Sequence, residues 1–141
     1  MSTNLPLVLA IGHKPFARES MQRKELGKKG EDLALRFLKK KGYRIIEQNY
    51  VCKMGEMDLI AKEKDTLVFI EVKTRTSMDF GPPQLAVTKF KQRQLSKVAL
   101  YFLKEKKIED VKARFDVVAI LLTPGGEEIE LIKDAFDLRW P

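Results

Sequence analysis

The segment Gly55–Thr74, GEMDLIAKEKDTLVFIEVKT, constrains the fold of this chain more than any other stretch of it. It reads as two strand-like runs around the polar cluster Glu63-Lys64-Asp65-Thr66. With Lys64-Asp65 as a two-residue loop, Glu63 faces Thr66, Asp58 faces Glu71 and Glu56 faces Lys73. Side chains alternate along a strand, so this register predicts all four charges on one face. Leu67 and Phe69 share the face of Glu71, while Val68, Ile70 and Val72 take the other. A strand apolar on both sides is a central, buried one.

Two carboxylates opposite each other repel, and in a purely structural sheet Asp58 and Glu71 would cost stability. A divalent cation between them removes that cost, and Mg²⁺ is held by one or two carboxylates with phosphate and water completing its octahedron. Lys73 emerges roughly 6–7 Å beyond Glu71 at the normal strand rise. There its ammonium would orient a water or stabilise charge growing on phosphorus. Glu56, facing Lys73, would hold that lysine in place. The alternative is an amphipathic hairpin with solvated charges, and the apolar neighbours of Glu71 argue against it.

Other chemistries are narrowed by composition. His13 is the only histidine and Cys52 the only cysteine, so Ser-His and Cys-His relays, disulfides and Cys-based zinc sites are not expected within one chain. Leu5–Ile11 is too short an apolar run to span a bilayer and lacks the flanks of a secretory signal. A cytoplasmic protein with no membrane partner is therefore expected. The formal net charge of +7 points to a polyanionic partner, usually nucleic acid. A basic surface around a carboxylate pocket is what a metal-dependent phosphodiesterase requires.

The rest of the chain supplies one domain's worth of elements. Residues 1–21 carry no clear period and are expected to form a flexible extension to a single domain over 22–141. Arg23–Lys41 has helical spacing, with Leu26, Gly30, Leu33 and Phe37 in one row and Gly27, Glu31, Ala34 and Leu38 in the next. Gly42 is a natural stop. Glu31 lies on the stripe that should face the sheet, either as a boundary residue reaching water or as a ligand aimed at the hairpin carboxylates. Tyr43–Tyr50 reads as a strand, Thr88–Lys106 as a helix, and Arg114–Leu122 and Glu128–Lys133 as strands around a Pro124-Gly125-Gly126 turn. Leu95, Val98, Ala99 and Phe102 form the inner face of the second helix, and Lys89, Lys91, Arg93 and Lys97 decorate the remainder. Asp116, next to Arg114, reads as a structural partner. Trp140 is expected to fold back onto the domain. The order α-β-β-β-α-β-β gives an α/β fold, a mixed central sheet flanked by helices.

Gly30-Glu31, Asn49, Gly55-Glu56-Met57-Asp58-Leu59-Ile60, Phe69-Ile70-Glu71-Val72-Lys73-Thr74-Arg75, Phe80-Gly81, Lys89 and Arg114-Phe115-Asp116 follow one another in this order over roughly residues 27–118. This set resembles the restriction-endonuclease-like PD-(D/E)xK superfamily, with Met57 where the superfamily has its proline. Within that superfamily it is similar to the small bacterial YraN-like family, itself similar to archaeal Holliday junction resolvases. The resemblance implies a restriction-endonuclease-like fold with core order α-β-β-β-α-β. It also implies Mg²⁺ or Mn²⁺ held by Asp58, Glu71, the Val72 carbonyl and Glu31, with Lys73 as catalytic lysine. Arg75, Lys89 and Arg93 are candidate nucleic-acid contacts. The activity implied is endonucleolytic, on DNA and on branched or recombination and repair intermediates in particular, and a cut on two strands would require a homodimer. The alternatives are a non-catalytic nucleic-acid-binding or adaptor protein that retains the fold, and a nuclease acting on RNA.

Overall fold

The computed structural model describes residues 15–76, 81 and 87–139, with side chains from residue 22 onward. The expected positions of residues 1–14, Phe80 and Trp140 lie outside the described residues. The elements follow the expected order: α1 (Pro15–Lys40), β1 (Arg44–Cys52), β2 (Gly55–Glu63), β3 (Thr66–Arg75), α2 (Lys89–Glu105), β4 (Lys112–Thr123) and β5 (Gly126–Phe136). α1 begins at Pro15, eight residues before the Arg23 expected from periodicity, so its first two turns fall within the stretch expected to be an extension. It ends as Gly42 dictates. With φ +94° at Gly42, the Gly42 and Tyr43 amides donate to the Lys39 and Leu38 carbonyls, closing the helix in a Schellman turn.

The strands form one sheet in the order β1-β2-β3-β4-β5. Every neighbouring pair is antiparallel except β3 and β4, which run parallel because α2 crosses over between them. Alternation along β3 divides the core. Leu67 and Phe69 pack with Leu95, Val98 and Phe102 of α2. Val68 and Ile70 pack with Leu33, Ala34 and Leu38 of α1. The central strand is therefore covered on both faces, as its apolar run requires. This is the mixed, helix-flanked α/β sheet expected, and it is consistent with a nuclease-like fold.

Tight packing of α1 on the sheet depends on Gly30. A Cβ there would overlap Thr74 Oγ1 of β3, so only glycine lets the helix axis come this close. That contact sets the depth at which the next residue, Glu31, meets the sheet.

Candidate metal and phosphate site

The hairpin register is the one expected. Glu63 pairs with Thr66 and the ladder continues to Leu59 opposite Ile70. There it stops, one rung short of Asp58 and Glu71. Val72, which would donate to β2 in a continued ladder, instead gives its amide N–H to Asp58 Oδ2 at 2.7 Å. In a strand the N–H and C=O of one residue point to the same edge. The Val72 carbonyl is thus directed to the same edge of β3, towards β2.

The neighbouring strand β1 is irregular at the same level. Gln48 pairs with Leu59 and Tyr50 with Met57, so the register sets Asn49 opposite Asp58, and Asn49 adopts a left-handed backbone with φ +51°. Asparagine tolerates this conformation better than other non-glycine residues. Residues two apart in a regular strand share a face, yet Met57 packs in the core under α2 and Leu59 in the core under α1. β2 turns over at Asp58. The expectation that strict alternation puts Glu56, Asp58, Glu71 and Lys73 on one face is corrected here. Asp58 lies in the plane of the sheet, between the strands, where groups from both faces reach it.

Glu71 comes from the α2 side and is only 5% exposed. Burial first, then the Asp58 carboxylate within hydrogen-bonding reach, push its carboxyl up to about 7, against the pull of Lys91 and Lys73. Lys73 Nζ lies 3.4 Å and Lys91 Nζ 3.8 Å from Glu71 Oε2. Glu31 comes from the α1 side. Burial and the nearby Asp58 raise its carboxyl above the usual range, opposed by a hydrogen bond with the Asn49 side chain. The helix residue expected as either boundary or ligand therefore lies within the electrostatic field of the hairpin acid.

The remaining candidates are placed more loosely. Glu56 is exposed near the start of β2, and the ion pair expected between it and Lys73 is not formed; Lys73 pairs with Glu71 instead. Lys89 and Arg93 are exposed on the first turns of α2. Arg75 Nη1 donates to the Gly81 carbonyl at 2.9 Å. Asp116 is fully buried and accepts from Tyr43, Arg114 and the Asp134 amide, the structural role expected of it.

Two members of the cluster are not evident from the sequence. Asn49 belongs to the family resemblance without a role, and no residue-level signal announces a left-handed bend inside a strand. Lys91 reads from its neighbours as one of the lysines on the outside of the helix. Thr88 offers the signal that could have found it: its Oγ1 caps α2 by accepting from the Lys91 amide at 3.1 Å, which fixes Lys91 in the first turn beside Glu71.

The donor set fits a hard divalent cation. Two carboxylates meet beside the backbone of Val72, and the proton that Glu71 retains is what an ion bound there would displace. Among the described residues no three acidic, His or Cys side chains are spaced to enclose an ion together. Mg²⁺ would need no such enclosure, since it is bound through one or two carboxylates and takes its other ligands from water and phosphate.

A model of the family described as "Uncharacterised protein family UPF0102" matches residues 30–120, from Gly30 at the α1–β3 contact to the middle of β4. A UPF0102 protein of Geotalea daltonii is 57% identical over 118 residues, covering 83% of this chain and 93% of its own length. One from Geobacter sulfurreducens is 51% identical over 127 residues, covering 89% and 99%. One from Syntrophus aciditrophicus is 52% identical over 119 residues, covering 84% and 94%. The matched span contains Glu31, Asn49, Asp58, Glu71, Lys73 and Lys91 together, and on these matches the chain belongs to the uncharacterised protein family UPF0102, the YraN-like family that its motifs resemble.

Proposed function

We propose that this protein is a metal-dependent endonuclease acting on DNA, with branched or recombination and repair intermediates as its substrate class. The observation that carries the reading is Glu71: a buried carboxyl set against a second carboxylate, Asp58, with two lysines at its edge. Asp58, Glu71 and the Val72 carbonyl would hold Mg²⁺ or Mn²⁺, with Glu31 acting on Asp58 from the other face. When bound, the ion supplies Lewis-acid stabilisation of the charge that develops on a phosphodiester under attack. Lys73, half-buried and hinged on Glu71, is positioned to orient the attacking water and to share that charge. Asp58 is itself oriented by the Val72 amide, which leaves Oδ1 for other contacts.

A second reading is a nucleic-acid-binding protein that retains the fold without turnover. It draws on the same two lysines, whose ammonium groups at 3.4 and 3.8 Å from Glu71 Oε2 can balance its charge themselves.

Cleavage of labelled four-way junction, flap, duplex and single-stranded DNA, with matched RNA, separates the two. Wild type is expected to cut at least one substrate with Mg²⁺ or Mn²⁺ and to stop on chelation. Asp58→Ala and Lys73→Ala are expected to lose the activity while still binding. Binding without cleavage on every substrate supports the second reading, and equal cleavage by all three proteins contradicts the assigned site.

A further inference from the structure

A groove of about 680 Å³ runs between the β1–β2 turn and the outer face of α2. Lys53 lines it from the turn and Lys97 and Lys104 from the helix, over Met54, Leu100 and Tyr101. Helical spacing produces this wall: Lys97, Tyr101 and Lys104 are four and three residues apart and stack on one face. Among the described residues no carboxylate forms an ion pair with any of the three lysines. Lys53 Nζ lies 5.8 Å from the Tyr101 ring centroid. The one acid at the rim, Glu105, already accepts the Tyr50 hydroxyl at 2.7 Å.

Charge near the β2–β3 turn is treated differently. Towards the β2–β3 turn, Lys112 is paired with Asp65, and both Arg114 and Lys133 with Glu63. The three groove lysines lack such partners among the described residues, and Lys89 and Arg93 are exposed on the same helix.

The groove and the carboxylate site share α2. Lys91 of the same helix reaches Glu71. Gly55, at φ +136°, seats the turn against α2 so closely that a Cβ there would stand 3.0 Å from Gln94 Nε2. From Lys91 the helix rises about 9 Å to Lys97 and about 20 Å to Lys104. That is the reach of roughly three to six nucleotides at about 3.4 Å each along one strand.

We propose that this groove carries a nucleic-acid strand away from the Asp58–Glu71 site, with phosphates on Lys53, Lys97 and Lys104 and a base or sugar against Tyr101. The class of partner rests on the proposed function; the groove's role in binding does not require that cleavage occur.

The test is metal-free binding of labelled 20-nucleotide DNA and RNA single strands across a salt series. K97E/K104E is compared with K39E/K40E, which makes the same charge change on exposed lysines in the last turn of α1. K97E/K104E is expected to weaken binding at least tenfold and to flatten the plot of log affinity against log salt by about 1.4, at ~0.7 for each phosphate left without its lysine. Y101A is expected to weaken binding several-fold with the slope unchanged, and K39E/K40E to stay within twofold of wild type. Equal weakening in the two charge variants, or none in K97E/K104E, would overturn the proposal. So would polyglutamate displacing the oligonucleotide at matched charge concentration, which would make the occupant an acidic polypeptide. If the groove variant binds weakly while no substrate is ever cut, the nuclease reading fails and the groove stands. If cleavage depends on Asp58 while K97E/K104E binds normally, the groove fails and the nuclease reading stands.

Discussion

Burial and the Asp58 carboxylate hold a proton on Glu71 up to about pH 7, and a folded protein that binds a proton its unfolded chain releases loses stability as pH rises. The ordinary glutamate value is 4.5, so the stability that Glu71 contributes in its protonated form is complete below about pH 4.5. It declines between there and pH 7 and is gone above. From those limits the loss is on the order of 3 kcal/mol. Denaturant titrations in chelator should show it, and Glu71→Gln should flatten stability over the same window, being no less stable than wild type at pH 8. A variant that tracks the wild-type pH profile would remove Glu71 as the titrating group. On the proposed function the same ionisation sets the direction for activity: cleavage should rise with pH through about 7, as Glu71 becomes free of its proton.

Elements bring these residues together, and here the sequence is legible to different depths. The two-residue turn and the apolar alternation of Leu67–Val72 determine the β2–β3 register, and with it the partnership of Asp58 and Glu71. What alternation cannot express is the turnover of β2 at Asp58. It coincides with a left-handed residue on the neighbouring strand and with a side chain taking over a backbone hydrogen bond. Lys91 escapes for a similar reason: its place follows from how α2 starts and docks, a tertiary matter, whereas its sequence neighbours are surface lysines. Glu31 is legible as an anomaly on an apolar stripe, and the glycine before it explains how it approaches. Gly30→Ala should cost on the order of 1–3 kcal/mol by forcing α1 off Thr74. Thr74→Ala in the same chain should recover part of that loss, since the overlapping hydroxyl is gone. Additive losses in urea titrations of the single and double variants would show that the contact does not limit the helix.

Across the whole molecule, rigidity is supplied by a second polar cluster that the site does not use. Asp116, fully buried on β4, binds Tyr43 just before β1, Arg114 on its own strand and the Asp134 amide on β5, while Arg114 continues to Glu63 of β2 and Glu63 to Lys133. Three strands and the α1–β1 connection thus meet around one carboxylate. Removing it leaves a largely buried guanidinium with half its hydrogen bonds, so Asp116→Ala should lose about 3–5 kcal/mol in chemical denaturation. A loss under about 1 kcal/mol, the scale of an exposed ion pair, would mean that the cluster is ornamental to stability.

With the scaffold anchored on that side, the Asp58 and Glu71 carboxyls meet between β2 and β3 at the cost of a retained proton, and the proposed function puts a cation in its place. Calorimetric titration of Mg²⁺ at pH 6, in two buffers of different ionisation enthalpy, tests this directly. One site per chain is expected, with release of close to one proton for each ion bound and loss of both signals in Asp58→Ala and in Glu71→Gln. Binding that persists in both variants, or release of no proton, would mean that the two carboxyls do not hold the ion.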